Sequence, residues 1–280
     1  MTITGKTKVA GVMGWPVSHS KSPALHGFWL REHGIDGVYI PLPVKPENLR
    51  PALRALPMLG FVGVNLTVPH KEAALKIVDE ITPTARRVGA INAIVVRENG
   101  RLSAENTDVT GFMMNLRLNA PAWDPKRGPA VVLGAGGASR AVCVGLIDAG
   151  CPEIRLVNRT PERVKALKKV IGGNIVGTAW DRRHDALADA ALLVNTTTLG
   201  MEGQPPLELD LTALPSQAIV NDIVYAPLDT PLLLQARARG LTAVDGLGML
   251  LYQAVPAFEA WFGVTPEVTP ALRAHILGLT

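Results

Sequence analysis

Short apolar runs alternate with segments of helical periodicity along the chain, most regularly in its second half. The run Ala130–Leu133 is followed by a glycine-rich turn and by a helical pattern over residues 139–149. Gly150 ends that helix, and a second apolar run at 154–157 completes a β–α–β unit of the length that a parallel crossover requires. Further buried strands are predicted at 191–195, 218–223 and 241–244, with a helix at 232–239. The pattern predicts an α/β fold with a doubly wound parallel sheet over roughly residues 111–245.

The N-terminal part has an alternation of its own. Strands are predicted at 9–12, 38–41, 63–67 and 90–96, and helices at 23–33, 46–56 and 70–79. We therefore expect a separate α/β domain over residues 1–108, the parallel-sheet domain over 109–245, and a helical segment over 246–280. Pro256 is expected to interrupt that last helix and to kink its backbone.

Composition excludes several classes of protein. Hydrophobic residues make up 48% of the 280 residues and charged residues 19%, which is typical of a globular protein. The net charge of +4 is spread over scattered basic residues, so we expect no nucleic-acid partner; a small anionic substrate or a phosphorylated cofactor suits it better. The spacing of Cys143 and Cys151 suits neither a disulfide framework nor a zinc site, and no metal is expected. Without an apolar segment of membrane-spanning length or a signal sequence, the chain is expected to be cytoplasmic, away from any membrane.

The glycine-rich turn carries candidate cofactor chemistry. Gly134-x-Gly136 gives a tight turn and a close backbone approach, and the helix after it offers free N–H groups to a pyrophosphate. The same turn could be purely structural. At the end of the next strand, where NAD-binding folds usually place an acid, the chain has Asn158-Arg159-Thr160, with Arg163 one turn later. Two guanidinium groups suit a 2′-phosphate and favour NADP over NAD, although they could also be ordinary surface arginines.

The first domain contains polar residues that the local structure explains only in part. Ser22 before Pro23 is typical of a helix N-cap, whereas Ser20 has no such explanation and suits a carboxylate site at the helix start. Further candidates are polar residues at strand ends and helix starts, each individually weak: Asn65, Thr67, Lys71, Asn92, and Asp108 as the N-cap of a helix at 109–118.

Taken together, these segments resemble the shikimate dehydrogenase family over nearly the whole chain. The resemblance is carried, in the family's order, by Gly14-x-Pro16-x-Ser18-His19-Ser20-x-Ser22-Pro23-x-x-His26, Asn65-x-Thr67-Val68-Pro69-x-Lys71, Gly89-Ala90-Ile91-Asn92, Asn106-Thr107-Asp108, Gly134-Ala135-Gly136-Gly137-Ala138, Asn158-Arg159-Thr160, Asn195-Thr-Thr-x-x-Gly200-Met201, Asp222-x-x-Tyr225-x-Pro227-x-x-Thr230-Pro231-Leu232 and Gly246-x-x-Met249-Leu250-x-x-Gln253-x-x-x-x-Phe258.

This resemblance implies a cofactor, a reaction and a layout. It implies an N-terminal substrate domain, a Rossmann-like NADP domain, and a C-terminal helix that returns to the first domain. The implied activity is the reversible NADPH-dependent reduction of 3-dehydroshikimate to shikimate in aromatic amino acid biosynthesis, on the chorismate route. The implied partner is this small-molecule substrate, and we expect a monomer or a homodimer.

The resemblance also implies residue roles. Lys71 and Asp108 would be the catalytic pair, converging between the domains and facing the nicotinamide. The substrate carboxylate would be bound by Ser20, Ser22 and Tyr225, and the ring hydroxyls by Asn65, Thr67, Asn92 and Gln253. The cofactor would be bound by Gly134, Ala135, Gly136, Gly137, Ala138, Asn158, Arg159, Thr160, Arg163, Thr197, Ile223 and Gly246.

Departures from the family pattern leave alternatives open. Val109 stands where glycine is usual after Asp108, and Gly27 stands where asparagine is common. One alternative is a quinate/shikimate dehydrogenase with dual use of NAD and NADP. The pairs Ser20/Ser22 and Arg159/Arg163 argue against it, because relatives of that kind tend to have threonine in the first motif or an acid after the second strand. Another alternative is a catalytically idle NADP-binding paralogue.

Overall fold

The structure is a computed structural model that describes residues 3–279, and these form two compact units. The first unit comprises residues 3–107 together with 253–279, and the second comprises Asp108–Tyr252. The boundary between Tyr252 and Gln253 falls inside one helix. Among the helices of the described part, none combines the length and the apolar character needed to span a bilayer.

The first unit is built on a mixed six-stranded sheet in the order β2-β1-β3-β5-β6-β4. Strand β1 pairs in parallel with β2 and β3, β5 runs antiparallel to β3 and β6, and β4 is parallel to β6. Its strands are β1 Lys8–Gly14, β2 Gly37–Pro43, β3 Phe61–Leu66, β4 Glu80–Ile81, β5 Ala93–Val96 and β6 Leu102–Glu105. Its helices are α1 Ser22–Glu32, α2 Leu49–Ala55, α3 His70–Ala73, α4 Pro83–Val88, the later part of α9 Leu247–Phe262, and α10 Pro270–Leu277.

The second unit is a six-stranded sheet in which every pairing is parallel, in the order β12-β11-β10-β7-β8-β9. The strands are β7 Ala130–Leu133, β8 Ile154–Asn158, β9 Ile175–Ala179, β10 Leu192–Asn195, β11 Ile219–Asp222 and β12 Thr242–Val244. The helices are α5 Asp108–Asn119, α6 Gly137–Asp148, α7 Pro161–Ile171, α8 Pro231–Ala238 and the start of α9 Leu247–Phe262. The strand order reverses at β7, which confirms the predicted doubly wound α/β class.

Three local predictions were wrong. Ser22 is the first residue of α1 rather than its N-cap, and its own N–H donates to the Ser20 hydroxyl at 3.3 Å. The helix expected over 70–79 is only the four-residue α3 followed by a 3₁₀ turn at Ala74–Lys76. Pro256 lies inside α9, which runs on to Phe262 without a break.

The ends of β10 and β11 are held together by a buried carboxylate. Asp222 accepts hydrogen bonds from Asn195 Nδ2 at 3.0 Å, from Thr230 Oγ1 at 2.8 Å and from the Val224 N–H at 3.0 Å. Burial raises the pKa of this carboxyl to about 6, although the three donors oppose the shift. The group therefore fixes the loop after β11 at the carboxyl edge of the sheet, and its ionised form is costly to bury.

This buried carboxylate predicts a pH-dependent difference between the wild type and Asp222→Asn. Because the pKa of Asp222 is about 6 when folded and about 4 when unfolded, folding takes up a proton between those pH values. The wild type thus loses up to about 3 kcal/mol as the pH rises from about 4 to about 6. Urea unfolding at several pH values gives the free energy of unfolding of both proteins. The value for Asp222→Asn minus that for the wild type should rise over this pH range. A difference that does not change with pH would contradict the raised pKa of Asp222.

Candidate active site

The two candidate serines lie at the start of α1: Ser20 in the segment that follows β1, and Ser22 as the first residue of the helix. The Ser20 N–H donates to the Val17 carbonyl at 3.1 Å, and the Ser20 hydroxyl accepts from the Ser22 N–H. Ser22 is buried and Ser20 is half-buried. A turn with paired hydroxyls and backbone N–H groups at a helix start is suited to a carboxylate.

Asn65, near the carboxyl end of β3, is buried among polar partners. Its Oδ1 accepts a hydrogen bond from the Tyr39 hydroxyl at 2.7 Å, and its Nδ2 donates to the Asn92 carbonyl at 2.9 Å. The His26 ring stacks on Tyr39 with centroids 4.0 Å apart and planes 5° apart. Burial, opposed in part by the Asn65 amide, lowers the pKa of His26 to about 3, so this histidine is neutral at physiological pH. Burial also raises the pKa of Tyr39 well above its usual value, which keeps the phenol protonated as a donor.

Asn92 connects three parts of the first unit. Its Nδ2 donates to Thr107 Oγ1 at 2.9 Å and to Gln253 Oε1 at 3.1 Å, and its Oδ1 accepts from the Thr107 N–H at 2.7 Å. All three side chains are buried. The expectation that a buried Asn92 needs polar partners is met, and one of those partners comes from α9.

Thr67 lies between β3 and α3, and Lys71 lies in α3. The Thr67 N–H donates to the Met13 carbonyl at 2.9 Å, which fixes this turn beside the end of β1. Lys71 is half-buried in α3, and its carbonyl accepts from the Ile91 N–H at 2.9 Å. That bond sets Lys71 beside the segment that ends in Asn92. The described residues include no group of three or more His, Cys, Asp or Glu side chains able to hold a metal ion.

In the second unit, the glycine turn after β7 has the geometry that a dinucleotide requires. Gly134 has φ +100°, and a Cβ there would lie 2.9 Å from Thr196 Oγ1. A Cβ built on Gly136 or Gly137 would meet no atom within 4 Å, so the start of α6 is open above these backbone groups. Ser139 is buried, and its hydroxyl donates to the Gly136 carbonyl at 2.7 Å, which stabilises the turn. The cradle, which also includes Ala135 and Ala138, fits a pyrophosphate at a helix N-terminus.

The residues after β8 form the next group of cofactor candidates. Asn158 Nδ2 donates to the Thr160 carbonyl at 3.0 Å, and Thr160 precedes α7 as its N-cap. The Arg159 guanidinium lies over the Trp180 ring at 5.1 Å from its centroid, while Arg163 is exposed in the first turn of α7. No carboxylate stands at the end of β8, which agrees with a 2′-phosphorylated cofactor.

Three loops meet at the carboxyl edge of the parallel sheet. Asn195 Oδ1 accepts from the Thr197 N–H at 3.0 Å and from its hydroxyl at 2.7 Å, and the Asn195 carbonyl accepts from the Ile223 N–H at 3.1 Å. A Cβ on Gly246 would lie 2.2 Å from the Ile223 carbonyl oxygen, so only glycine permits this approach. Tyr225 follows in the same loop, half-buried, and burial raises its pKa.

The candidates thus fall into two sets. The first unit contains the set Ser20, Ser22, Asn65, Thr67, Lys71, Asn92 and Gln253, and the second unit contains Asp108, Tyr225 and all the cofactor candidates. The structure brings together Asn65 with Asn92, Asn92 with Gln253, and Ile223 with Gly246. The pairing of Lys71 with Asp108 and the role of each residue toward a ligand stay predictions.

Sequence reasoning missed several residues that contact these candidates. The sequence predicts a strand at Tyr39 and no role in the site, although a tyrosine in a buried strand needs a partner for its hydroxyl. Thr107 lies in the motif Asn106-Thr107-Asp108, and the motif alone predicts no role for it. Trp180 and Arg183 follow β9, a strand that the sequence did not predict. Only the residue types, a tryptophan two positions before a pair of arginines, could have drawn attention to them.

Comparison with known proteins agrees with this geometry. Three family models match in order along the chain: the shikimate dehydrogenase substrate binding domain at residues 12–94, shikimate / quinate 5-dehydrogenase at 122–200, and the shikimate 5′-dehydrogenase C-terminal domain at 246–274. A protein of Rhodospirillum rubrum named shikimate dehydrogenase (NADP(+)) is 61% identical over 99% of this chain and 99% of its own.

Solved structures are similar over almost the same length. Shikimate 5-dehydrogenase from Thermus thermophilus, in complex with NADP(H) and shikimate, is 38% identical with a TM-score of 0.86, covering 98% of this chain and 100% of that one. Quinate dehydrogenase from Corynebacterium glutamicum, in complex with NAD, is 32% identical with a TM-score of 0.90, covering 97% and 99%. With this similarity running through both units and through the motifs described above, the chain belongs to the shikimate dehydrogenase family.

Proposed function

We propose that this protein is an NADP-dependent shikimate dehydrogenase that reversibly reduces 3-dehydroshikimate to shikimate. The observation that carries the proposal is the buried amide network of Asn65, Asn92 and Gln253 beside Lys71, in a family member. A ring with several hydroxyls requires paired donors and acceptors, since each unmatched buried polar group costs about 1–3 kcal/mol. In this proposal, residues 1–108 bind the substrate, residues 109–245 bind NADP, and 246–280 contribute Gln253.

The two serines and Tyr225 would bind the substrate carboxylate. The hydrogen bond between the Ser22 N–H and the Ser20 hydroxyl holds the turn in one conformation. The Thermus relative, whose complex contains shikimate, supports a substrate of this class. Thr67, on the neighbouring turn after β3, would meet a ring hydroxyl.

The residues of the chain supply proton transfer and charge stabilisation. NADPH, when bound, supplies the hydride. As the C3 carbonyl of 3-dehydroshikimate gains negative charge, the Lys71 ammonium would stabilise the oxygen and donate a proton to it. Asp108 would keep Lys71 charged and oriented, and the reverse reaction would use the same pair to accept the hydroxyl proton. A monomeric or homodimeric state belongs to the same proposal and can be measured by light scattering.

Dual-specificity quinate/shikimate dehydrogenase is the second candidate, favoured by similarity to the NAD complex of the Corynebacterium enzyme. Ser20 in the first motif and Arg159 at the end of β8 support the shikimate and NADP assignment instead. A steady-state assay crossing shikimate and quinate with NADP⁺ and NAD⁺ separates the two. The highest kcat/KM should come from shikimate with NADP⁺; comparable values with quinate and NAD⁺ would establish the second candidate, and no shikimate-dependent NADPH formation would establish an idle paralogue.

Lys71→Ala should lower kcat by a factor of about 10² or more and leave the affinity for NADP⁺ nearly unchanged, because proton transfer is lost while the cofactor site is untouched. Stopped-flow kinetics measure the change in turnover, and equilibrium binding measures the affinity for NADP⁺. The exposed Lys76→Ala is the matched control, with wild-type turnover expected. Turnover of Lys71→Ala at the wild-type rate would remove this lysine from the mechanism.

Arg159→Ala should raise the KM for NADP⁺ by about ten-fold or more while changing the KM for NAD⁺ little, because only NADP⁺ has the 2′-phosphate that a guanidinium binds. Steady-state kinetics at saturating shikimate give both constants. An equal loss with both cofactors would mean that Arg159 does not contact the 2′-phosphate.

Tyr39→Phe should raise the KM for shikimate by about ten-fold with a smaller change in kcat, because the Asn65 amide loses the donor that orients it toward the substrate. The KM for NADP⁺ should stay at the wild-type value. The same substitution in an Asn65→Ala background should have no further effect on the shikimate KM, since no amide remains to be oriented. Additive effects in the double variant would show that Tyr39 acts by another route.

A further inference from the structure

Trp261, near the end of α9, has contacts in the first unit that the function derived so far does not use. Its side chain is 3% exposed, and its indole N–H donates to the Ile94 carbonyl of β5 at 3.0 Å. A buried indole N–H needs a partner of this kind. Here the partner is a backbone group of the sheet, so the ring of Trp261 ties α9 directly to a strand.

A glycine in β3 makes this close approach possible. Strands β3 and β5 are the central pair of the first sheet, and Val64 of β3 stands opposite Ile94 of β5. A Cβ built on the preceding Gly63 would overlap both the indole nitrogen of Trp261 and the Ile94 carbonyl oxygen. Glycine inside a strand is typical of a site where another group comes close to the backbone. Any side chain at position 63 would therefore displace the indole from the sheet.

The indole lies on the face of β3 that also carries Asn65. Residues two apart in a strand point to the same face of a sheet, so Gly63 and Asn65 share it. The ring centroid of Trp261 is 5.6 Å from that of His26 and 6.0 Å from that of Tyr39, the donor to Asn65. Trp261 thus packs beside the residues that hold the Asn65 amide.

The helix connects this indole to the polar network of Asn92. Helix α9 continues through Pro256, and eight residues of helix, about 12 Å, separate positions 253 and 261. Because the hydrogen bonds of a helix keep its rise per residue nearly fixed, a shift along the axis at Trp261 also moves Gln253. Gln253 Oε1 accepts from Asn92 Nδ2 at 3.1 Å, and a shift of about 1 Å would lengthen this contact beyond hydrogen-bonding distance.

We propose that Trp261 is a positioning residue for substrate binding. Its indole, seated over Gly63, fixes α9 at the height that brings the Gln253 amide to Asn92. The inference rests on the proposed function, in which Gln253 binds a ring hydroxyl of shikimate. Trp261 acts through Gln253, so loss of the indole weakens the binding of shikimate and leaves the cofactor residues of the second unit unchanged.

The test is steady-state oxidation of shikimate by the full chain at saturating NADP⁺. Trp261→Leu should raise the KM for shikimate about ten-fold, with kcat within about two-fold of wild type and the KM for NADP⁺ unchanged.

Phe262→Leu is the matched control for loss of packing. Phe262 is the next residue of α9 and is also buried, but its ring packs against Gly37 at the start of β2. Both leucine variants should lower Tm, because each removes a buried ring from the core. Phe262→Leu should nevertheless keep the wild-type KM for shikimate. An equal rise of this KM in the two variants would mean that lost packing alone is responsible, and would overturn the proposal.

A conservative variant and a double variant examine the route. Trp261→Phe keeps a ring over Gly63 and loses the N–H, so the KM for shikimate should rise only about three-fold. If Trp261→Leu does not fold, Trp261→Phe decides the matter, and a wild-type KM in it overturns the proposal. Gln253→Ala should raise the same KM about ten-fold, and adding Trp261→Phe to it should have no further effect. Additive effects would show that Trp261 does not act through Gln253.

Failure of the inference is distinguishable from failure of the proposed function. If the wild type oxidises shikimate with NADP⁺ and Gln253→Ala raises the KM for shikimate, but Trp261→Leu has the same KM as Phe262→Leu, only the inference is overturned. If Gln253→Ala leaves that KM unchanged, the inference fails while the reaction stands. If the wild type shows no shikimate-dependent formation of NADPH, the proposed function fails, and with it the inference.

Discussion

The hydrogen bonds of the buried Asn92 side chain tie together three segments of the first unit that are far apart in the chain. One amide joins the segment before β5, the residue before α5, and Gln253 of α9. Because an unpaired buried amide costs about 1–3 kcal/mol, these three chain segments are fixed relative to one another once Asn92 is buried. The same constraint extends through the Asn92 carbonyl to Asn65 and from there to Tyr39. Polar groups suited to a hydroxylated ring are therefore also what holds the sheet ends and α9 in place.

In the second unit, buried polar groups are paired with one another at the carboxyl edge of the parallel sheet. Its central strands β7, β10 and β11 are apolar and buried over most of their length, and polar residues such as Asn195 and Asp222 stand where these strands end. Asp222 and Asn195 satisfy each other and fix the loops that contain Ile223 and Thr197. Glycines permit the closest backbone approaches, at Gly134 and at Gly246. A Rossmann-like sheet built this way presents backbone groups and a helix N-terminus at one edge, while arginines beyond β8 and β9 add positive charge.

Prediction from the sequence succeeded where the signal was local. The run Ala130–Leu133 with its glycine turn predicted β7 and the start of α6 closely, because apolar runs and glycine positions depend on few neighbours. It failed where tertiary contacts decide the local conformation. The four-residue α3 ends early, and β4, β6 and β9 are short or exposed strands with little apolar signal of their own. Pro256 was expected to interrupt α9, yet α9 continues through it.

The amino-acid sequence by itself determined the α/β class, the order of the motifs and the family, because these depend on periodicity and on residue types at fixed spacing. It could not determine which side chains meet. Tyr39 lies 26 residues from Asn65, and Asn92 lies 161 residues from Gln253, yet each pair shares a hydrogen bond. Trp180 meets Arg159 only because β8 and β9 pair in register. Such contacts are set by strand pairing and burial, which act between distant segments and leave no local pattern in the chain.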